Sequence, residues 1–198
     1  MPASVAHEER ERELVRATRR LFDERGMQEA PVELIAREVG IARGLIYRQF
    51  SSKEELYVLT VTDYLAELAG AMTSDDLAGL TEAFARFCVR YPAFVDSALS
   101  IMKRPASELR ATVSESVWLR LGAGMAGCIG PLCDVLRTMG VEDPDLTANV
   151  LWTQGLGLMH LARIQIGLRR TEAGPELFAV DTEEVVTRCI SNALRLAR

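Results

Sequence analysis

Hydrophobic positions recur at three- and four-residue steps along almost the whole chain, the spacing of one face of an α-helix. Leu14, Ala17, Thr18, Leu21 and Phe22 form such a stripe. It predicts a helix from about Glu8 to Arg25, ended by Gly26 as a C-terminal cap. Pro31 suits the first turn of a second helix, Pro31 to Val39, because its missing N–H costs nothing there. Gly40 stops that helix, and a short third one covers Ala42 to Gln49. Ser51-Ser52 can cap a long fourth helix from Lys53, with Glu54 and Glu55 in its favourable first turn. Thr73-Ser74-Asp75 caps a helix running to Tyr91, and Pro92 opens another that ends near Arg104-Pro105. Ser107 to Met139 reads as one long helix, kinked at Gly130-Pro131. Asp143-Pro144 starts a helix to about Arg170, Thr171 to Val180 reads as a loop, and Thr182 to Ala197 is the last helix. No strand-rich region or repeat interrupts the pattern. It predicts an all-α chain, with a three-helix domain over residues 1–52 and a helical bundle over residues 53–198.

One stretch, Ile35 to Phe50, carries more than periodicity. Two helices that cross steeply within a few residues need a small residue where their backbones touch, and Ala36 is one. They need a residue at ease with positive φ four positions later, and Gly40 supplies it. They also need apolar residues on the second helix facing back, here Ile46 and Phe50, with Ile35, Val39 and Ile41 closing a small core. This is the pattern of a helix-turn-helix. The second helix has another face. Arg43, Gly44, Tyr47 and Arg48 are not needed for packing, and no acidic residue occurs from Gly40 to Lys53. A helix in the major groove needs such a face: long donors for phosphates and bases, and a glycine where backbones approach. The N-terminal ends of the second and fourth helices are placed to direct N–H groups at phosphates.

The formal net charge of −5 shapes that reading. A protein that coats nucleic acid without selectivity is strongly basic, so binding here must come from a local patch with base contacts. Hydrophobic residues at 48% supply a real core, and 198 residues suit a small domain joined to a larger one. The four cysteines have no Cys-x-x-Cys spacing and read as free buried thiols in a reducing compartment. Only His7 and His160 are present, which argues against a metal or catalytic histidine cluster, and no cofactor motif is found. With no nucleophile–base pair and no phosphate loop, the chain is not read as an enzyme. Met1 to Arg20 is crowded with Glu and Arg and is not a signal peptide. The uncharged run Leu146 to Ala162 is shorter than the ~20 residues of a membrane span and reads as a buried helix, with no membrane partner.

From about Leu14 to Leu56 the sequence resembles the DNA-binding domain of the tetracycline-repressor (TetR) family. The matching positions are Ala17, Leu21-Phe22, Gly26, Val32, Ile35-Ala36, Gly40-Ile41-Ala42-Arg43-Gly44, Ile46-Tyr47, Phe50, Lys53 and Leu56. The resemblance implies that the recognition helix begins at Arg43-Gly44, that Tyr47 and Lys53 contact phosphates, and that the direct base readers lie among Arg43, Leu45 and Gln49. Arg48 and Pro31 complete the expected DNA-binding set. Two departures shift the contacts. Ala30-Pro31 stands where the family commonly has Thr-Ser or Thr-Thr, losing a helix cap worth about 1 kcal/mol, and Leu45 replaces a common Thr.

The resemblance also implies a homodimer on a palindromic operator, since a reading head of this type takes two half-sites as a symmetric pair. In the family the last two helices pair with their copies. Here Gly155, Gly157, Val186, Ile190, Ala193, Leu194 and Ala197 are the expected interface. Phe84, Phe87, Met102, Trp118, Met125, Trp152, Met159 and His160 are the candidate lining of a pocket between the middle helices. Met and aromatic residues suit an adaptable apolar site, and the same residues at helical spacing also make plain core. The expected function is a ligand-responsive transcriptional regulator of the bacterial cytoplasm, nucleoid-associated when bound. It acts as a repressor released from its double-stranded operator by a small lipophilic effector. The alternative is a helical small-molecule-binding or adaptor protein without specific DNA binding.

Overall fold

A computed structural model describes residues 2–198, with side chains from Ala6 onward. The order of elements is α1 (Pro2–Arg25), a 3-10 turn (Met27–Glu29), α2 (Val32–Val39), α3 (Arg43–Gln49), α4 (Lys53–Ala71) and α5 (Leu77–Arg90). There follow α6 (Pro92–Met102), α7 (Ala106–Thr112), α8 (Glu115–Thr138), α9 (Pro144–Ile164), β1 (Ile166–Thr171), β2 (Gly174–Ala179) and α10 (Thr182–Leu196). The helical architecture expected from periodicity is the observed one. The chain forms two compact units. One takes Met1–Ala66 and Asp96–Met125, the other Glu67–Val95 and Ala126–Arg198.

The first unit is built on the apolar stripes of α1 to α4. Leu14, Phe22, Ile35, Ile46, Leu56 and Leu65 are fully buried. Phe22 meets Tyr57 edge-on, with ring centroids 5.2 Å apart. Two polar ties fix α1 to α4 around this core. Arg19 bonds Asp63 at 2.7 Å, and the Tyr64 hydroxyl donates to Asp23 at 2.6 Å. Gly124 of α8 admits α4 closely, because a Cβ there would stand 3.2 Å from that of Leu65.

The single helix expected over Ser107 to Met139 is two helices here, α7 and α8, with Pro131 inside the second. The break at Val113-Ser114 has a tertiary cause. The Ser114 N–H donates to the Glu55 carboxylate at 3.1 Å, and its hydroxyl donates to the same group. A partner 59 residues away in the chain leaves no local signal.

The second unit packs α5, α9 and α10 around aromatic rings. Phe84 lies 5.1 Å from Trp152, and Phe87 meets Phe94 edge-on at 5.4 Å. Each helix starts on an aspartate cap. Asp76, rather than the expected Thr73-Ser74-Asp75 run, accepts from the Gly79 N–H. Asp143 accepts from Leu146 and Asp181 from Glu184.

The helix expected to reach Arg170 stops at Ile164, and the loop expected over Thr171 to Val180 is half of a β-hairpin. Gln165, at φ 53, turns the chain out of α9, and Gly174, at φ 119, closes the hairpin turn. Ile166 pairs with Ala179 and Leu168 with Leu177 on one face. On the other, Gly167 pairs with Phe178, and Arg169 with Glu176 in a 2.8 Å ion pair. Period-two and period-3.6 patterns are hard to tell apart over six residues, which is why the apolar positions of β1 read as more of α9. Among the described residues α8 is the one helix long and apolar enough to cross a bilayer. The uncharged run Leu146–Ala162, read as a buried helix too short for a span, lies within α9.

Candidate nucleic-acid interface

The geometry of the α2–α3 turn follows from one glycine. Gly40 adopts φ 72, ψ 32, a left-handed conformation that a β-carbon resists by about 1–2 kcal/mol. The reversal lets the Ile41 N–H reach the Ala36 carbonyl at 2.9 Å and the Gly40 N–H reach Arg37 at 3.1 Å. This pair of bonds closes α2 as a Schellman motif and satisfies carbonyls that would otherwise be stranded. Ala36, Ile46 and Phe50 are buried at the crossing, as the spacing required, while Val39 and Ile41 are half-buried at its edge.

Burying Ile46 turns the rest of α3 outward. Arg43, Gly44, Leu45, Tyr47 and Arg48 are all exposed, as are Lys53 at the start of α4 and Pro31 at the start of α2. Gly44 has open space where a Cβ would stand, so a partner can come against its backbone. The Arg43 guanidinium sits 5.4 Å from the Tyr47 ring centre, one helical turn away, and pairs with Glu33 at 2.7 Å. The Tyr47 hydroxyl, and then Glu33, raise its pKa further. Gln49 is less free than its neighbours, because its amide donates to the His7 carbonyl at 3.0 Å.

The N-terminus of α4 is closed rather than open to a phosphate at Glu55. The Ser52 hydroxyl accepts from the Glu55 N–H at 3.0 Å, and the Glu55 carboxylate accepts from the Ser51 N–H at 2.5 Å. Pro31 precedes α2 as its N-cap, with no side-chain bond to the helix. Sequence reasoning missed Glu33, which pairs with Arg43 across the turn. The two are ten residues apart, and only the tight α2–α3 crossing brings them together.

The candidate pocket residues divide between the units. Phe84, Phe87, Trp152 and Met159 are buried in the second, with His160 half-buried. Phe84 and Trp152 line a cavity of about 20 Å³, enough for a water and too small for an effector. Met102, exposed, and Trp118 and Met125, half-buried, belong to the first unit.

The expected interface residues also divide. Gly157 is exposed with open space before it, Leu194 is exposed and Ile190 half-buried. Gly155, Val186, Ala193 and Ala197 instead face inward, covered by their own unit. A Cβ on Gly155 would lie 2.7 Å from the Phe84 ring, so this glycine is taken up by the packing of α9 on α5.

A mainly helical chain in which a left-handed glycine sets the turn between two short helices, the second presenting an exposed basic-aromatic face, contains a helix-turn-helix. Residues 14–59 match the model of bacterial regulatory proteins of the tetR family. Over this stretch, about a quarter of the chain, the sequence is similar to the DNA-binding domain of TetR-family transcriptional regulators. It is 34% identical over 76 residues to the HTH-type transcriptional regulator PksA of Bacillus subtilis (strain 168), covering 35% of this chain and 37% of that one. It is 32% identical over 110 residues to HbdR of Aromatoleum sp. (strain CIB), covering 52% and 48%. These matches span less than half the length of either relative. A TetR-family regulator from Streptomyces coelicolor has the same fold, with a TM-score of 0.61 at 17% identity over 96% of this chain and 80% of that one.

Proposed function

We propose that the chain is a one-component repressor that binds a palindromic operator as a homodimer and leaves it when a small effector binds. The observation that carries this reading is the outward face of α3. Arg43, Gly44, Leu45, Tyr47 and Arg48 have no packing duty, while Ile46 alone of the helix is fully buried. Lys53 and Pro31 flank that face for phosphate contacts, and Gln49 reaches bases once it leaves His7. Residues 1–52 form the reading head, and residues 53–198 serve dimerisation and sensing. The working place is the bacterial cytoplasm, on the nucleoid, and the chain performs no enzymatic chemistry.

The dimer is proposed to form on the uncharged outer stripe of α9. Leu146, Val150, Thr153, Gly157 and Ile164 follow helical spacing and are all exposed. The effector is proposed to be lipophilic, entering between helices lined by Phe84, Trp152 and Met159 once they part.

The test is gel retardation of a palindrome from upstream of the gene. Tyr47→Ala and Arg43→Ala are expected each to lower operator affinity by ~1–3 kcal/mol, and together to abolish retardation, with circular dichroism unchanged. Normal retardation by both variants overturns the assignment of α3. A wild-type chain that retards no palindrome favours the carrier or adaptor reading.

A further inference from the structure

The first unit holds a cleft of about 620 Å³ between α2, α3, the start of α4 and the α6–α7 corner. That volume is in the range of small-molecule sites. Its floor is apolar. Val32, Val58 and Leu109 are almost wholly buried there, with Ile101 beside them. Its rim carries the cations Arg43, Lys53 and Arg104 against the carboxylates Glu33 and Glu54. Both carboxylates already face cations, Glu33 with Arg43 at 2.7 Å and Glu54 with Arg104 at 4.0 Å. Three cations against two anions leave the rim net positive, which suits an acid and not an amine.

We propose that this cleft binds an amphipathic organic anion, its apolar body on the Val32, Val58 and Leu109 floor and its acid group at Lys53 and Arg104. The inference deepens the DNA-binding reading and rests on it for its consequence. Pro31, Arg43, Tyr47 and Lys53 line this cleft and also belong to the proposed DNA contacts. An anion seated here occupies the side chains a phosphate needs. Regulation at this site is direct competition, and it requires no movement of one recognition helix relative to its copy. No local pattern announces the cleft, because the α6–α7 wall lies far along the chain from the helix-turn-helix.

The test is calorimetric titration of the full chain, without DNA, using octanoate as the probe and 1-octanol as the uncharged control. Octanoate is expected to bind, and octanol to bind at least about tenfold more weakly, the loss of one charge-assisted contact. Ile101→Trp fills the cleft and Arg104→Ala removes a rim cation, and each is expected to weaken octanoate by about tenfold or more. Arg104 is exposed and outside the DNA contacts, so Arg104→Ala keeps the fold if filling disturbs it. No octanoate binding at millimolar concentration, or equal binding to wild type and both variants, overturns the site. In a second arm octanoate is titrated into the retarded operator complex. Release from wild type at concentrations that spare Arg104→Ala is expected, and persistence of the wild-type complex under saturating octanoate overturns the competition. Octanoate binding that is lost in both variants, with no DNA retarded at all, sinks the operator reading and leaves the anion site standing.

Discussion

Glu55 shows how one buried carboxylate can organise several segments. It is nearly fully buried, yet it accepts from the N–H and hydroxyl of Ser51 and from the N–H and hydroxyl of Ser114. Burial pushes its pKa up, but the hydrogen bonds from Ser114 and Ser51 together outweigh burial and hold it below the ordinary value. A carboxyl whose folded pKa is depressed adds stability that is fully present above its unfolded pKa, about 4.3. That stability is lost as pH falls through the lower, folded value. Glu55→Gln is therefore expected to cost about 2 kcal/mol at neutral pH, the worth of charge-assisted bonds. The gap should close in acid. Urea unfolding of both proteins at neutral pH and below the ordinary carboxylate range checks this, and a gap that stays constant removes the charge from the argument.

Within α9, two glycines two positions apart have opposite duties. Gly155 faces α5, where a Cβ would meet the Phe84 ring at 2.7 Å, while Gly157 faces open space. Phe84 is itself held against Trp152 and cannot step aside freely. Gly155→Ala is expected to destabilise the protein by about 1–3 kcal/mol through overpacking. Gly157→Ala should instead stabilise the free chain by up to about 1 kcal/mol, since it removes a helix glycine without adding a clash. Thermal unfolding of the pair at low protein concentration decides the point. Equal effects would mean that α9 is rotated from the orientation described.

For the whole molecule, the proposed dimer makes a simple demand. Val150 lies on the outer stripe of α9 and is 44% exposed, so Val150→Glu should leave the fold within about 0.5 kcal/mol of wild type. It places a charge on both sides of a symmetric contact, because an isologous interface presents every substitution twice. Native mass spectrometry is expected to show two chains for wild type and one for the variant. A wild-type monomer would end the palindrome reading, and a variant dimer would move the interface elsewhere, with the exposed Ile166, Leu168 and Leu177 face of the hairpin next to be tried.

What the sequence determined by itself is what depends on near neighbours. Helical periodicity placed the helices, Gly26 and Gly40 marked ends that do adopt positive φ, and the Ala36–Gly40–Ile46 spacing marked the turn and exposed the face of α3. Each of those signals spans a few residues and acts through backbone sterics or a single helical face. The tertiary structure decided what depends on distant partners. It separated α7 from α8 through Glu55 and turned Gly155, Val186, Ala193 and Ala197 inward. It also set Glu33 on Arg43 and closed the Arg104 wall over the cleft beside the recognition helix. A helix tells from its own sequence that it has an apolar face. Which neighbour covers that face, and what is left open beside it, is settled only when the whole chain packs.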